Sequence, residues 1–282
     1  MSWIEIIVLA VVQGLTEFIP VSSTAHLKIV PALLGWRDPG AAFTAVIQIG
    51  TLVAVVSYFW RDIVRVLAAM LADLRRGKLA STQDARLGWM IAAGTVPIIV
   101  IGVLFRHEIK TALRSLYVMS AALAGVALLL ALAEWWVRRR EAARIHGRDV
   151  GQVGWPDAIV VGCAQTAALV PGTSRSGATI LGGLACGLTR EAAARFSFLL
   201  SIPSIFAAGV FELIEERQAL LASSQDAVKL AVGLVVAGVV GYATIPWLLG
   251  FLRTRTTFVF IVYRLLLAAL LLGLLFSGRI AP

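Results

Sequence analysis

The stretch Gln13-Gly14-Leu15-Thr16-Glu17-Phe18-Ile19-Pro20-Val21-Ser22-Ser23-Thr24-Ala25-His26 interrupts an apolar run over residues 3–36. A second run, over 157–188, is interrupted by Val170-Pro171-Gly172-Thr173-Ser174-Arg175-Ser176-Gly177-Ala178-Thr179. Each run is long enough for two short helices and is broken midway by Pro, Ser and Thr. Non-helical polar backbone at membrane depth leaves N–H and C=O groups unpaired wherever it meets lipid, so it occurs only where protein or a watery cavity surrounds it. Both regions therefore read as re-entrant helical hairpins with polar tips inside the protein; the alternative is two short, kinked spanning helices in each.

The rest of the 282-residue chain sets the environment. It is 59% apolar and 15% charged, with a mean hydropathy of +0.88. An ordinary soluble domain is about 45–50% apolar and about 25% charged. A water-soluble globule, a disordered chain and a disulfide-built secreted module are excluded. Segments 42–60, 88–105, 116–137, 196–213, 230–250 and 257–276 each supply the roughly 20 mostly apolar residues of a spanning helix. Cys163 and Cys186 sit in small-residue apolar runs and read as small hydrophobes, not as a metal or redox pair. Met1-Ser2-Trp3-Ile4-Glu5 lacks the basic region of a signal peptide, so the first apolar stretch is expected to stay in the mature protein.

A formal net charge of +9 invites a nucleic-acid reading, which the placement of the charges removes. If segment 42–60 runs outside to inside, loops 61–87 and 138–155 lie in the cytoplasm, as do the connections holding Arg190, Arg195, Arg253 and Arg255. Fifteen Lys or Arg residues then face the cytoplasm and seven the other side, the bias that orients membrane proteins. The basicity is topological, and no nucleic-acid partner is expected.

The two halves resemble each other. Gln13 and Gln165 begin corresponding stretches, Pro20-Val21-Ser22-Ser23 lines up with Pro171-Gly172-Thr173-Ser174 at an offset of 151, and Phe43-Thr44 corresponds to Phe196-Ser197. The expected fold is an all-α polytopic membrane protein, a single integral membrane domain over 1–282. It comprises a first repeat over 1–137, the basic loop 138–155 and a second repeat over 156–276, each a re-entrant hairpin plus three transmembrane helices. Three crossings separate the copies, so the second is inserted upside down. Inverted repeats of this kind bring broken helices together near the midplane with a polar site at their junction.

An ionisable side chain within a membrane is costly unless paired and marks function by default. The first hairpin carries Glu17 and His26, the second Arg175, amid Ser22, Ser23, Thr24, Thr173, Ser174, Ser176 and Thr179. A guanidinium fork suits phosphate oxygens. So do the N–H groups of a Gly172-Thr173-Ser174 turn leading into a helix. Arg264, inside the last span, is expected to pair with a loop carbonyl or acid. The Gly172 and Gly177 spacing matches a nucleotide P-loop, but Ala178 stands where Lys is required. The Ser-Arg-to-His spacing of the type 2 phosphatidic acid phosphatases fails as well, because Leu181 occupies the His position.

Residues 13–26 resemble the first signature of the undecaprenyl-diphosphate phosphatase, or bacitracin-resistance, family: Glu or Gln, three residues, Glu, then Pro-x-Ser-Ser ending in His. Residues 171–179 resemble its second. The similarity continues through Ile47-Gln48-Ile49-Gly50 and Phe196-Ser197-Phe198-Leu199-Leu200. The resemblance implies a multi-pass hydrolase of the bacterial inner membrane, with its active site open to the periplasm. It would convert undecaprenyl diphosphate to the monophosphate and phosphate, recycling the carrier for cell-wall synthesis. The implied partners are a long-chain prenyl diphosphate and the bilayer, with a homodimer left open. The implied cofactor is a divalent cation, Mg2+ or Ca2+. Gln13 takes the Gln option, and Thr44 stands where many members have Glu, so less negative charge is available to a metal than in those relatives.

The expected catalytic set is Glu17, Ser23, His26 and Arg175. Gln13, Ser22, Thr24, Gly172, Thr173, Ser174, Ser176 and Thr179 are expected to bind substrate, and Glu17 to hold the metal. Arg175 would clamp the distal phosphate, Ser23 or water would attack, and His26 would serve as base and then acid, with Ser23, His26 and water all left open as the nucleophile. The small residues of 177–187 are expected to permit close packing and to leave a lateral lipid groove. The rival reading is an inverted-repeat transporter or flippase for a phosphorylated lipid or anion, which needs an anion clamp but no general base.

Overall fold

The computed structural model describes residues 1–220 and 223–280. Its regular elements among these are all helices, apart from one isolated bridge between Arg148 and Leu188. In chain order they are α1 (Trp3–Thr16), α2 (Ser23–Leu34), α3 (Gly40–Val46), α4 (Gln48–Tyr58), α5 (Trp60–Arg75), α6 (Gln83–Leu104), α7 (Arg106–Lys110) and α8 (Leu116–Ala142). After a basic connection follow α9 (Trp155–Thr166), α10 (Arg175–Ala185), α11 (Arg190–Glu215), α12 (Arg217–Leu220), α13 (Ser224–Thr254) and α14 (Phe258–Phe276). Side-chain caps set many of the starts: Ser2 and Glu5 form a capping box at α1, and Thr82, Ser115 and Thr189 cap α6, α8 and α11.

Six helices are long and apolar enough to cross a membrane, counting Gly40–Tyr58, which is α3 and α4 joined at Ile47, as one. They coincide with the six expected segments. The four hairpin helices are shorter: α1 has 14 residues and α9 has 12. At 1.5 Å per residue the four reach only about 16–21 Å, against a hydrocarbon core of about 30 Å. Expected loop 61–87 is instead largely helical, because α5 carries Trp60, Val64, Leu67, Leu71 and Leu74 at alternating four- and three-residue spacing, all exposed. That stripe emerges one residue after α4 ends, as in an interfacial helix.

Each hairpin turns on a serine with left-handed backbone. Ser22 has φ +75° and caps α2; Ser174 has φ +71° and caps α10. Such conformations cost a non-glycine residue about 1–3 kcal/mol and persist only where the surroundings impose them. The cap serines stand 152 positions apart, as do Gln13 and Gln165, whereas the alignment expected through the prolines uses 151. Helix capping, not the proline, fixes each turn.

The expected lateral groove along 177–187 is filled. A Cβ on Gly183 would lie 2.7 Å from the Ala193 Cβ, and one on Gly182 would lie 3.2 Å from the Ala164 Cβ. The small residues seat α10 against α9 and α11. Both cysteines are free, with Cys163 exposed rather than buried. Ion pairs gather the basic connections at one end of the molecule: Arg190 with Glu134 and Glu141, Arg195 with Asp62, and Arg253 with Glu191. At the opposite end Lys110 meets Glu212, Arg106 meets Glu215, and Arg114 meets Asp38.

Candidate active site

Glu17 follows the last residue of α1 as its cap, and is 7% exposed. Its Oε2 accepts from the Gln13 amide one turn back at 2.7 Å and from the Ser23 hydroxyl at 2.6 Å. Its Oε1 accepts from Arg175 Nη2 at 2.6 Å, across 158 positions of sequence. Arg175 opens α10, and the same nitrogen donates to Gln48 Oε1 at 2.7 Å while Nη1 reaches Ser204 Oγ at 3.4 Å. Ser204 in turn donates to Gln165 Oε1 at 3.1 Å. A buried ion pair is costly to desolvate unless further hydrogen bonds satisfy both charges, and these polar neighbours supply them.

The pair lies in the wall of a cavity of about 510 Å³ that is also lined by Ser22, Ser23, Thr24, Gly172 and Ser174. Both hairpin tips thus contribute the N-terminus of a helix to one space. The first N–H groups of a helix have no partner within it, and the helix dipole adds partial positive charge. Two such ends beside a guanidinium form a receptor for an anion. Beyond this polar floor the walls turn apolar, with Ile98, Val103, Ala207, Ala208 and Phe211, before Arg106, Lys110 and Arg114 line the cavity together with Glu212. Those three cations already carry carboxylate partners, so the collar has little net attraction for anions.

The other expected site residues divide. Gln13 is fully buried behind Glu17 and touches the site only through it. Ser176 donates to the Ile19 carbonyl at 3.2 Å, joining one tip to the other. Thr179 bonds the Arg175 carbonyl and Ser197, facing α11 instead of the cavity. Thr173 offers its carbonyl to Arg264. Gly172 has φ +97°, and a Cβ there would lie 2.5 Å from the Met119 carbonyl oxygen, so the tip packs directly on α8. His26 faces away from Ser23: Nδ1 lies 2.7 Å from the Ser22 carbonyl and Nε2 lies 2.6 Å from the Tyr263 hydroxyl. The proton acceptor next to Ser23 is Glu17.

Arg264 is fully buried and donates to five carbonyls, as its expected role requires. Nε reaches Leu123 at 3.2 Å, Nη1 reaches Pro20 at 3.1 Å, and Nη2 reaches Ala122, Gly172 and Thr173 at 3.2, 3.0 and 3.1 Å. It clasps both tips to α8. Sequence reasoning passed over Gln48, Ser204 and Tyr263 as site residues. The first two are polar groups within otherwise apolar spans, a signal available in the sequence.

Glu212, Glu215 and Glu216 bring carboxylate oxygens within 4.8 Å of one another, a spacing a cation could bridge. Lys110 already lies 2.8, 3.2 and 3.8 Å from these three, and Arg106 pairs with Glu215. Gln13, Glu17 and Ser23 offer the hard oxygens that Mg2+ or Ca2+ prefers. Yet both Glu17 oxygens already accept hydrogen bonds, one of them from a cation. The acidic triad is a possible metal site, where a cation would take the place of Lys110; at Glu17 it would compete with Arg175.

A family model described as bacitracin resistance protein BacA matches residues 6–270. Among curated relatives, the chain is 54% identical over 282 residues to a protein named undecaprenyl-diphosphatase from Chlorobium phaeovibrioides, covering 100% of both. It is 53% identical over 280 residues to one of that name from Prosthecochloris aestuarii, covering 99% of both. It is 51% identical over 282 residues to another from Chlorobaculum tepidum, again covering 100% of both chains. The two-tipped site sits within the matched region, and the chain belongs to the bacitracin resistance protein BacA family.

Proposed function

We propose that this chain is an undecaprenyl-diphosphatase, releasing the terminal phosphate of the long-chain isoprenoid diphosphate and returning the monophosphate carrier to cell-wall synthesis. The observation that carries this reading is the convergence of Glu17, Ser23 and Arg175 on a cavity that receives two helix N-termini. Phosphoryl transfer asks a protein chiefly for in-line positioning and neutralisation of spread negative charge. Arg175 Nε and one Nη1 hydrogen have no acceptor among the described residues, and a phosphate oxygen takes them. The Ser23 oxygen attacks the distal phosphorus, its proton passes to Glu17 Oε2, and the bond to the bridging oxygen breaks. Water then releases phosphate from the serine. The apolar section beside Ala207, Ala208 and Phe211 accommodates the first part of the isoprenoid.

The same reading covers the architecture. The short helices α1, α2, α9 and α10 form two re-entrant hairpins. Each is followed by three spans, in two repeats of opposite orientation over about 1–137 and 156–276. With the basic connections on the cytoplasmic side of the bacterial inner membrane, the cavity belongs to the periplasmic side. Every residue of the site comes from one chain, so a homodimer is not needed to complete it. The Mg2+ or Ca2+ implied by the resemblance would have to displace Arg175 or Lys110 from its carboxylates, so no step is routed through it.

The test is phosphate release from a long-chain prenyl diphosphate by the detergent-purified chain, with and without a chelator. Ser23→Ala and Arg175→Ala are each expected to lose well over tenfold, more than about 1.4 kcal/mol of transition-state stabilisation. Wild-type turnover in both would refute the reading.

A further inference from the structure

His26 is one of three histidines in the chain, and its two ring nitrogens are both engaged. A carbonyl oxygen can only accept, so the 2.7 Å contact with Ser22 fixes the proton on Nδ1. In the neutral ring Nε2 then accepts, and its partner is the Tyr263 hydroxyl at 2.6 Å. The two rings are nearly parallel, 8° apart with centroids at 5.7 Å. The Ser22 carbonyl also accepts from the His26 backbone N–H at 3.2 Å, which makes it the anchor of the first turn of α2. Ser22 is one of the two left-handed cap serines, and the residue it aims is Ser23. Tyr263 precedes Arg264 on α14, so consecutive residues of one helix hold the side chain behind the first tip and the carbonyls of both.

We propose that Tyr263 is a positioning residue for the reacting centre: its hydroxyl holds the His26 ring, whose Nδ1–H holds the Ser22 carbonyl and thereby the strained turn that points the Ser23 hydroxyl at Glu17. The inference rests on the reading of Ser23, Glu17 and Arg175 as that centre. It separates the two roles a histidine in this place can take. A general base needs Nε2 facing the nucleophile; a positioning histidine needs Nε2 tied off, as it is here. Displacement of a reacting atom by about 1 Å costs on the order of a hundredfold in rate. Loosening one link of the chain, with the others intact, should cost less.

The experiment uses the full chain in detergent, with Tyr263→Phe, Leu267→Ala and Ser23→Ala as variants and a prenyl diphosphate as substrate. Leu267 packs on the same α14 contact with α2 and α8 without touching His26 through a polar atom. Tyr263→Phe is expected to lower kcat about tenfold, within the range seen when an orienting partner is lost, with KM within about twofold. Nitrogen-15 histidine spectra should show His26 protonated on Nδ1 in the wild type, with the Nε2 resonance moved in Tyr263→Phe by loss of the hydrogen bond it accepts. Leu267→Ala should keep both the wild-type kcat and the wild-type spectrum. Wild-type kcat in Tyr263→Phe, with Ser23→Ala inactive, overturns the role of Tyr263 and leaves the centre standing. Turnover surviving in Ser23→Ala overturns both. If Tyr263→Phe gives no monodisperse protein while Leu267→Ala does, the hydroxyl serves folding and the positioning role falls.

Discussion

Replacing Arg264 with Leu should dismantle the clasp that holds the two tips. Five carbonyls lose a donor. Those of Ala122 and Leu123 lie within α8 and keep their helical partners, whereas Pro20, Gly172 and Thr173 have no other hydrogen-bond donor among the described residues. A buried acceptor left without a partner costs about 1–3 kcal/mol, giving an upper bound of about 9 kcal/mol for three. Among the described residues the guanidinium has no carboxylate partner, and its removal relieves a desolvation penalty of several kcal/mol. The expected net loss is therefore about 3 kcal/mol, a large part of the roughly 5–15 kcal/mol that holds a folded domain. At about 2–4 °C per kcal/mol for a chain of this size, the apparent melting temperature of the detergent-solubilised protein should fall by about 6–12 °C. Monodisperse yield and turnover should fall with it. Arg264→Lys, a point charge with three donors in place of a five-donor fork, should fall between. Wild-type melting and yield in Arg264→Leu would show that the clasp contributes nothing. Wild-type yield with abolished turnover would place Arg264 on the substrate.

Glu17→Gln should reduce turnover at least a hundredfold by removing the acceptor of the Ser23 proton, and acid-quenched reactions with labelled substrate should trap phosphate on Ser23 in the wild type. Label absent from Ser23 would make water the nucleophile. Gly172→Ala, which sets a methyl against the Met119 carbonyl at a left-handed position, should lower melting temperature and yield; unchanged melting would mean that α8 yields without cost. Outside the membrane, the Asp73 carboxyl is held below its ordinary value of 3.8, chiefly by the Ser81 hydroxyl and then by the Ser81 and Thr82 N–H groups. A depressed carboxylate stabilises the fold at pH above 3.8 and loses that contribution as pH falls through the lower folded value. Hydrogen exchange at Ser81 and Thr82 should stay slow throughout the range above 3.8 and speed up in Asp73→Asn even at neutral pH.

Much of the architecture was legible because a bilayer imposes a length rule: an apolar segment long enough to cross announces itself, and one broken by Pro and Ser does not fit. The meeting of Glu17 with Arg175 was legible for a related reason, since neither charge has a tolerable place alone in hydrocarbon. Partner choice was not. His26 reads as a base when seen beside Ser23, but its Nε2 is claimed by a tyrosine 237 positions away, and nothing local to residue 26 points there. The turns themselves are set by the serines whose side chains cap the next helices, a role that the neighbouring prolines mask in the sequence. The apolar stripe of α5 was hidden by the arginines counted around it. Glycines 182 and 183 suggested open space for lipid, yet small residues serve equally to let another helix approach, and here α9 and α11 did so.

The bond between Glu17 and Arg175 also settles how two opposite charges sit within a membrane. Each charge neutralises the other, so neither side chain is left alone beside acyl chains. A lipid carrying a multiply charged head upsets that balance on arrival, since it competes with the carboxylate for the guanidinium. In the proposed reaction the carboxylate released from that contact is the one that takes the Ser23 proton, so substrate arrival and the arming of the nucleophile would be a single electrostatic event.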